Sequence, residues 1–224
     1  LIHEGVGEVV YDSKGEYEIG TRVIMVPNTP VEKDDVIAEN YLPSSKFRSS
    51  GFDGFMQDYV FMDHDRVVEI DDSIEDLSTI AYSELVSVSW HALQRFERKS
   101  ISNKNSFGIW GDGNLGYITA ILLSKLYPQA KIYVFGKTDY KLSHFSFVEH
   151  IYHIDEVPAN VTFDHAFECV GGKGSQSAVN QIIDLVSPEG TISLLGVSEY
   201  PIEVNTRLVL EKGLTMFGLS LIHI

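Results

Sequence analysis

Cysteine is almost missing from this chain of 224 residues: Cys169 stands alone, so no internal disulfide can form, and such usage suits a reducing compartment. Cations are scarce as well. Lys and Arg number 17 against 32 Asp and Glu, a formal net charge of −15. A field of that sign repels the phosphates of nucleic acid and of an anionic membrane, so neither is expected as a partner. A small anion held in a local basic pocket remains compatible with it. No apolar run reaches membrane-spanning length and no signal-peptide pattern is present, so the expected location is cytoplasmic. Internal repeats and low-complexity tracts are absent too. What is there is 44% hydrophobic and 22% charged, ordinary for a globular protein and long enough for a sizeable core in one or two domains.

The chain is organised around Ser106 to Gly136. A short apolar run (Phe107, Ile109, Trp110) predicts a buried strand, GDGNLG a tight glycine turn, and Leu115 to Leu126 a helix by its apolar spacing. A second apolar run, Ile132 to Phe135, follows a proline break and completes a βαβ unit. In a dinucleotide-binding turn the three glycines divide the work. Gly111 permits the turn, Gly113 lets the backbone approach a pyrophosphate, and Gly116 allows close helix-to-strand packing. The pyrophosphate would rest on the free N–H groups that open the helix, at Asn114 and Leu115. The alternative reading is a plain strand-to-helix turn.

Position 136 bears on which dinucleotide is expected. An NAD enzyme places an acidic side chain on the ribose hydroxyls at the end of the second strand, and here the residue is Gly136. An acid there would oppose the 2′-phosphate of NADP, at about 4 kcal/mol per charge pair for a separation of about 4 Å near a protein surface. Lys137, Thr138 and Lys141 follow at once, and the expected cofactor is NADP(H); otherwise these lysines are a solvated helix start. On this reading Gly136→Asp should move preference toward NADH.

From the start, Leu1 to Val26 predicts two strands of a small antiparallel barrel, with a turn at Asp12 to Gly15. Pro27 to Gly51 is polar and irregular. Gly54 to Phe61 and Val67 to Ile70 return to strand patterns, and Asp71 to Asp76 starts a helix with Ser73 as N-cap. Ile80 to Phe96 is helical and ends in the charged Glu97-Arg98-Lys99. Past the first βαβ unit, a helix (Asp139 to Phe147), strands (Ile151 to Ile154, Phe163 to Cys169), a helix (Gln176 to Val186) and strands (Thr191 to Leu195, Leu214 to Gly218) predict a parallel, doubly wound α/β sheet. The expected organisation is a partial catalytic domain with its linking helix over 1–95, a dinucleotide-binding Rossmann domain over 96–219, and a tail over 220–224 that reads as non-native. The abrupt ends at Leu1 and at LSLIHI make the sequence read as a piece of a longer protein.

Several motifs then line up in order: HEGVGEVV at His3, GTRV at Gly20, GFDGFMQDYV at Gly51, SELVSVSWHAL at Ser83, GDGNLG at Gly111, FECVGG at Phe167 and SPEGTISLLGV at Ser187. Over residues 1 to about 219 this order resembles the zinc-dependent medium-chain alcohol and polyol dehydrogenases. The stretch Ser102 to Lys141 and the run FDHAFECVGGKGSQSAVNQ look more particularly like the ribulose-5-phosphate reductases, also called ribitol-5-phosphate dehydrogenases, of wall teichoic acid synthesis.

The resemblance implies a GroES-like β-barrel catalytic domain, present here in part, ahead of the Rossmann sheet, and a catalytic Zn2+. His3 matches the family's histidine ligand, Glu4 the glutamate beside it, and Glu84 the position where polyol dehydrogenases use glutamate. The family's first ligand, a cysteine upstream of His3, is not in this sequence. From the residues alone, His3 also reads as a packed or surface histidine. Glu84, amid Ile80, Leu85, Val86 and Val88, is either paired or metal-bound, or lies on the helix's wet face. Val170, Gly196 and Val197, with Cys169, fall at strand ends that line the family's nicotinamide pocket. Many relatives carry a four-cysteine lobe for a structural zinc. Asn28 to Ser50 stands in its place without a cysteine, and offers Lys46 and Arg48 either as contacts for a substrate phosphate or as solvated charges.

The implied reaction is NADPH-dependent reduction of D-ribulose 5-phosphate to D-ribitol 5-phosphate by a homodimer, with a functional link to a ribitol-phosphate cytidylyltransferase that makes CDP-ribitol. Two alternatives stand: another zinc-dependent polyol or alcohol dehydrogenase, and a non-catalytic nucleotide-binding fragment.

Overall fold

The structure, a computed structural model, describes residues 2–219; the expected tail over 220–224 lies outside the described residues. The chain divides into two compact units between Val88 and Ser89, inside one helix and N-terminal to the boundary expected after residue 95.

The first unit is built from short strands. β1 (Val6–Glu8) pairs antiparallel with β2 (Arg22–Met25), and β2 pairs antiparallel with β6 (Val67–Glu69), with Gly7 opposite Val23 and Ile24 opposite Val68. A second sheet holds β3 (Asn28–Thr29), β4 (Lys46–Arg48) and β5 (Gly51–Phe52); β4 runs antiparallel to β3 and parallel to β5. The strand expected over Gly54 to Phe61 does not form. The Gln57 N–H donates to the Phe55 carbonyl and its side-chain amide to the Gly54 carbonyl, which turns the chain. Only Gly54 and Phe55 are buried, while Met56, Tyr59 and Phe61 are exposed, so the alternation has no partner strand to serve.

The expected helix start at Ser73 is likewise displaced. Asp71 accepts both the N–H and the hydroxyl of Ser73, closing a local turn. The N-cap is Asp76, whose carboxylate accepts from the Ser78 and Thr79 amides at the head of α1 (Leu77–Ile80). α2 runs Ser83–Lys99, later than the pattern from Ile80 predicts.

In the second unit the last turns of α2 bury Ala92, Leu93 and Phe96, and Phe96 meets Phe107 and His165 edge-on with ring centroids 5.7 and 4.8 Å apart. Six parallel strands form the sheet: β7 (Ser106–Trp110), β8 (Lys131–Gly136), β9 (His150–His153), β10 (Phe163–Glu168), β11 (Val186–Leu194) and β12 (Thr215–Gly218). Their order is β12-β11-β10-β7-β8-β9, so the chain winds outward from β7 in one direction, then returns to β10 and winds in the other. The carboxyl ends of β7 and β10 therefore flank a topological switch point, where doubly wound sheets bind ligands.

α3 (Asn114–Leu126) and α5 (Ser175–Leu185) match their patterns. α4 (Asp139–Leu142) stops short of Phe147 because Phe145 turns inward, 2% exposed, and packs on Tyr117. α6 (Thr206–Glu211), capped by the Asn205 side chain, was not foreseen. The core centres on Trp110 stacked on Phe135, ring centroids 3.9 Å apart, with Phe163, Ile182, Ile183 and Ile192 around it.

Candidate functional site

Each unit carries one chemical constellation. In the second, β7 ends at Trp110 and Gly111 turns the chain at φ 121, where a Cβ would meet the Cys169 carbonyl oxygen at 2.7 Å. A Cβ on Gly116 would overlap the Gly111 oxygen, so the helix packs against the turn only because nothing is there. Gly113 differs: a Cβ there would meet nothing within 4 Å, so no protein atom demands the glycine. That open cradle lies at the N-terminus of α3, which no side chain caps. Amide donors facing free space at a helix start are what a pyrophosphate needs, and Asn114 and Leu115 open that helix.

Beside this turn, the loops after β10 and β11 are tied by Glu168, a residue 1% exposed. Its Oε1 accepts from the Val170 and Gly171 amides, each at 3.0 Å, and from the Ser175 hydroxyl at 3.1 Å; its Oε2 accepts from the Gly196 amide at 3.1 Å. Val170 and Val197 stand 38% and 46% exposed on these loops. Sequence reasoning missed Glu168 as a site-building residue; the signal was a carboxylate at the carboxyl end of an otherwise apolar strand. Burial raises the Cys169 thiol, which therefore keeps its proton, and its sulfur lies 3.9 Å from the Thr119 hydroxyl. It is a packed residue, not a nucleophile.

Past β8, Lys137, Thr138 and Lys141 are exposed and Gly136 is buried. The Asp112 Oδ2, from within the glycine turn, accepts from the Lys137 amide at 3.0 Å and the Thr138 amide at 2.8 Å. Asp112 was also missed. It corrects the expectation for Gly136→Asp: a Cβ at 136 would lie 2.7 Å from the Asp112 Cβ, so that single substitution has no room.

In the first unit the segment carrying His3 and Glu4 is pinned at both ends: the Phe55 N–H donates to the Ile2 carbonyl and the Met25 N–H to the Gly5 carbonyl. Glu84 sits in the first turn of α2. One ligand atom from each of His3, Glu4 and Glu84 lies within 4.8 Å of the others. His3 Nδ1 is 3.6 Å from Glu84 Oε2, and both atoms are buried with no hydrogen-bond partner. Burial, then the charge of Glu4, pushes the Glu84 carboxyl up to about 7. Two orphaned polar atoms and two crowded carboxylates fit a cation such as Zn2+, which would satisfy all of them. Among the described residues no other such group of His, Cys, Asp or Glu occurs.

Lys46 is exposed, whereas Arg48 donates to the Phe61 carbonyl at 2.6 Å and lies over the rings of Phe52 and Phe55. Arg48 thus has a packing role, and as first and third residues of β4 the two cations lie on the same face of that strand.

No protein-family model matches the chain. Ribulose-5-phosphate reductase 1 of Staphylococcus aureus (strain NCTC 8325 / PS 47) is 74% identical over 220 residues, covering 98% of this chain and 64% of the reductase. The chain therefore spans less than two thirds of that relative's length. The crystal structure of S. aureus TarJ in complex with NADPH superposes with a TM-score of 0.82 at 66% identity, over 97% of this chain and 62% of TarJ. L-idonate 5-dehydrogenase from Escherichia coli shares the fold alone, with a TM-score of 0.85 at 19% identity over 96% of this chain and 65% of that one. Along 98% of its own length, this chain is a sequence relative of the ribulose-5-phosphate reductases, and it carries the medium-chain dehydrogenase fold.

Proposed function

We propose that the full-length protein reduces D-ribulose 5-phosphate to D-ribitol 5-phosphate with NADPH, in the cytoplasm and as a homodimer. The product would feed a ribitol-phosphate cytidylyltransferase that makes CDP-ribitol for wall teichoic acid. The observation that carries this reading is the 74% identity to a ribulose-5-phosphate reductase, over a span that takes in both constellations. The NADPH bound by TarJ supports the cofactor.

In this reading Gly111, Gly113, Asn114, Leu115 and Gly116 seat the pyrophosphate on main-chain donors. Gly136, Lys137, Thr138 and Lys141 face the 2′-phosphate end. Val170, Gly196 and Val197 line the nicotinamide, held in place by Glu168. His3, Glu4 and Glu84 hold the metal. When bound, zinc supplies Lewis-acid polarisation of the ketone oxygen and the nucleotide supplies hydride for C2. The protein's own contribution is orientation, since the transfer requires the reacting carbons held at near-attack distance.

The test is an assay of the full-length protein with D-ribulose 5-phosphate and each nicotinamide. NADPH oxidation with formation of ribitol 5-phosphate is expected, with NADH far slower and sorbitol and xylitol inert. The shared fold by itself is equally compatible with a second reading, a polyol dehydrogenase. Turnover of unphosphorylated polyols with NAD would select it, and NADPH binding without any turnover would refute both.

A further inference from the structure

We infer that Asp112 and Gly136 act as one specificity pair: from within the glycine turn, the Asp112 side chain fills the space an acid at 136 would need, and its carboxylate fixes the main chain of Lys137 and Thr138, whose exposed side chains read the 2′-phosphate. The inference rests on the NADPH reading above and goes beyond it, because it assigns cofactor selectivity to a residue outside the loop that faces the ribose.

Two independent observations meet at this point. The first is steric. A Cβ at 136 would lie 2.7 Å from the Asp112 Cβ, 2.9 Å from its Oδ2 and 2.8 Å from the Leu142 Cδ2. The Leu142 methyl is the end of a flexible side chain and can rotate away. The Asp112 Cβ is one bond from the main chain and cannot yield without moving the turn. The block is therefore set by residue 112.

The second is polar. In dinucleotide folds the acid ending the second strand accepts from the ribose hydroxyls. Here an acid reaches the same corner from the first strand's turn, but its Oδ2 is already spent on two main-chain donors, Lys137 N at 3.0 Å and Thr138 N at 2.8 Å. Those amide donors offset part of its charge toward a phosphate, and they tie that oxygen to the main chain of 137 and 138 rather than to a ribose hydroxyl. The main chain of 137 and 138 is held while both side chains stay exposed. Asp112 is thus a positioning residue, and Gly136 is the small residue that its presence requires.

The experiment measures dissociation constants of NADPH and NADH by calorimetry for the full-length protein and its variants, with a thermal melt on each. The wild type is expected to favour NADPH at least tenfold; a wild type without that preference refutes the NADPH reading, whatever the variants do. Gly136→Asp alone should weaken both nucleotides at least tenfold with no crossover in preference. Asp112→Gly combined with Gly136→Asp should bind NADH better than NADPH. Asp112→Gly alone should lower the NADPH-over-NADH ratio at least threefold, a change that general loosening of the fold would not produce. If the aspartate at 136 prevents folding, Gly136→Ala serves in its place: it should weaken NADPH in the wild type and be tolerated in the Asp112→Gly background. The pair is overturned if Gly136→Asp alone inverts the preference, or if Asp112→Gly leaves both the ratio and the effect of Gly136→Ala unchanged.

Discussion

A Cβ on Gly116 would collide with the Gly111 oxygen, and main chain on both sides leaves no flexible atom to move. Gly116→Ala should therefore push the head of α3 off the turn and cost at least tenfold in NADPH affinity, read by titration of nucleotide fluorescence. Glu168→Gln tests the other loops. The glutamine offers one carbonyl and one NH2 group where the carboxylate accepts from four donors, so the NH2 must face an amide or a hydroxyl. A loss of about 1–3 kcal/mol in denaturant unfolding is expected. The roles of Gly111 and Gly116 were legible in the sequence because a glycine turn is local: six residues contain the motif and its reason. Asp112 was not, because its partners lie at Lys137 and Thr138, and for Glu168 the tie to Gly196 was equally hidden although Val170, Gly171 and Ser175 are near in sequence; no short-range pattern tells which distant amide a carboxylate will meet.

At the scale of elements, α2 is locked into the second unit by Phe96, 0% exposed among Phe107, His165 and Phe167. Phe96→Ala should destabilise that unit by about 3–5 kcal/mol, measured by chemical unfolding. The cap of α1 carries a pH signature. Hydroxyl and amide donors from Ser78 and Thr79 lower the Asp76 carboxyl to about 2 from an ordinary 3.8. A carboxyl held low contributes stability that is complete above its ordinary value and disappears as pH falls through about 2. The gap in melting temperature between wild type and Asp76→Ala should accordingly be constant above about pH 5 and narrow on acidification. The six-stranded sheet was readable throughout, since buried parallel strands announce themselves as apolar runs between helices. Gly54 to Phe61 misled because alternation identifies a strand only where a neighbouring strand exists to pair with it. Ser73 misled because two acceptable caps, Ser73 and Asp76, lie three residues apart, and Asp71 claims the first.

For the whole molecule, the cluster of His3, Glu4 and Glu84 and the glycine turn ahead of α3 belong to different compact units. Stripping the metal from the full-length protein with a chelator should stop ketone reduction, while NADPH affinity stays within about twofold of the untreated value. About one zinc per chain should be lost in the process, and readdition should restore turnover. Parallel loss of nucleotide binding would contradict that separation.

The stacking of Trp110 on Phe135 has an optical consequence. This chain holds two tryptophans, Trp90 at 44% exposure and Trp110 at 0%. Trp110 immediately precedes Gly111, and its indole N–H is engaged by Gln181 at 2.8 Å. An aqueous quencher should silence the red-edge emission of Trp90 and spare the blue-shifted emission of Trp110. The surviving signal would come from an intrinsic lamp set one residue before the glycine turn, and should follow any nucleotide that settles there without a label.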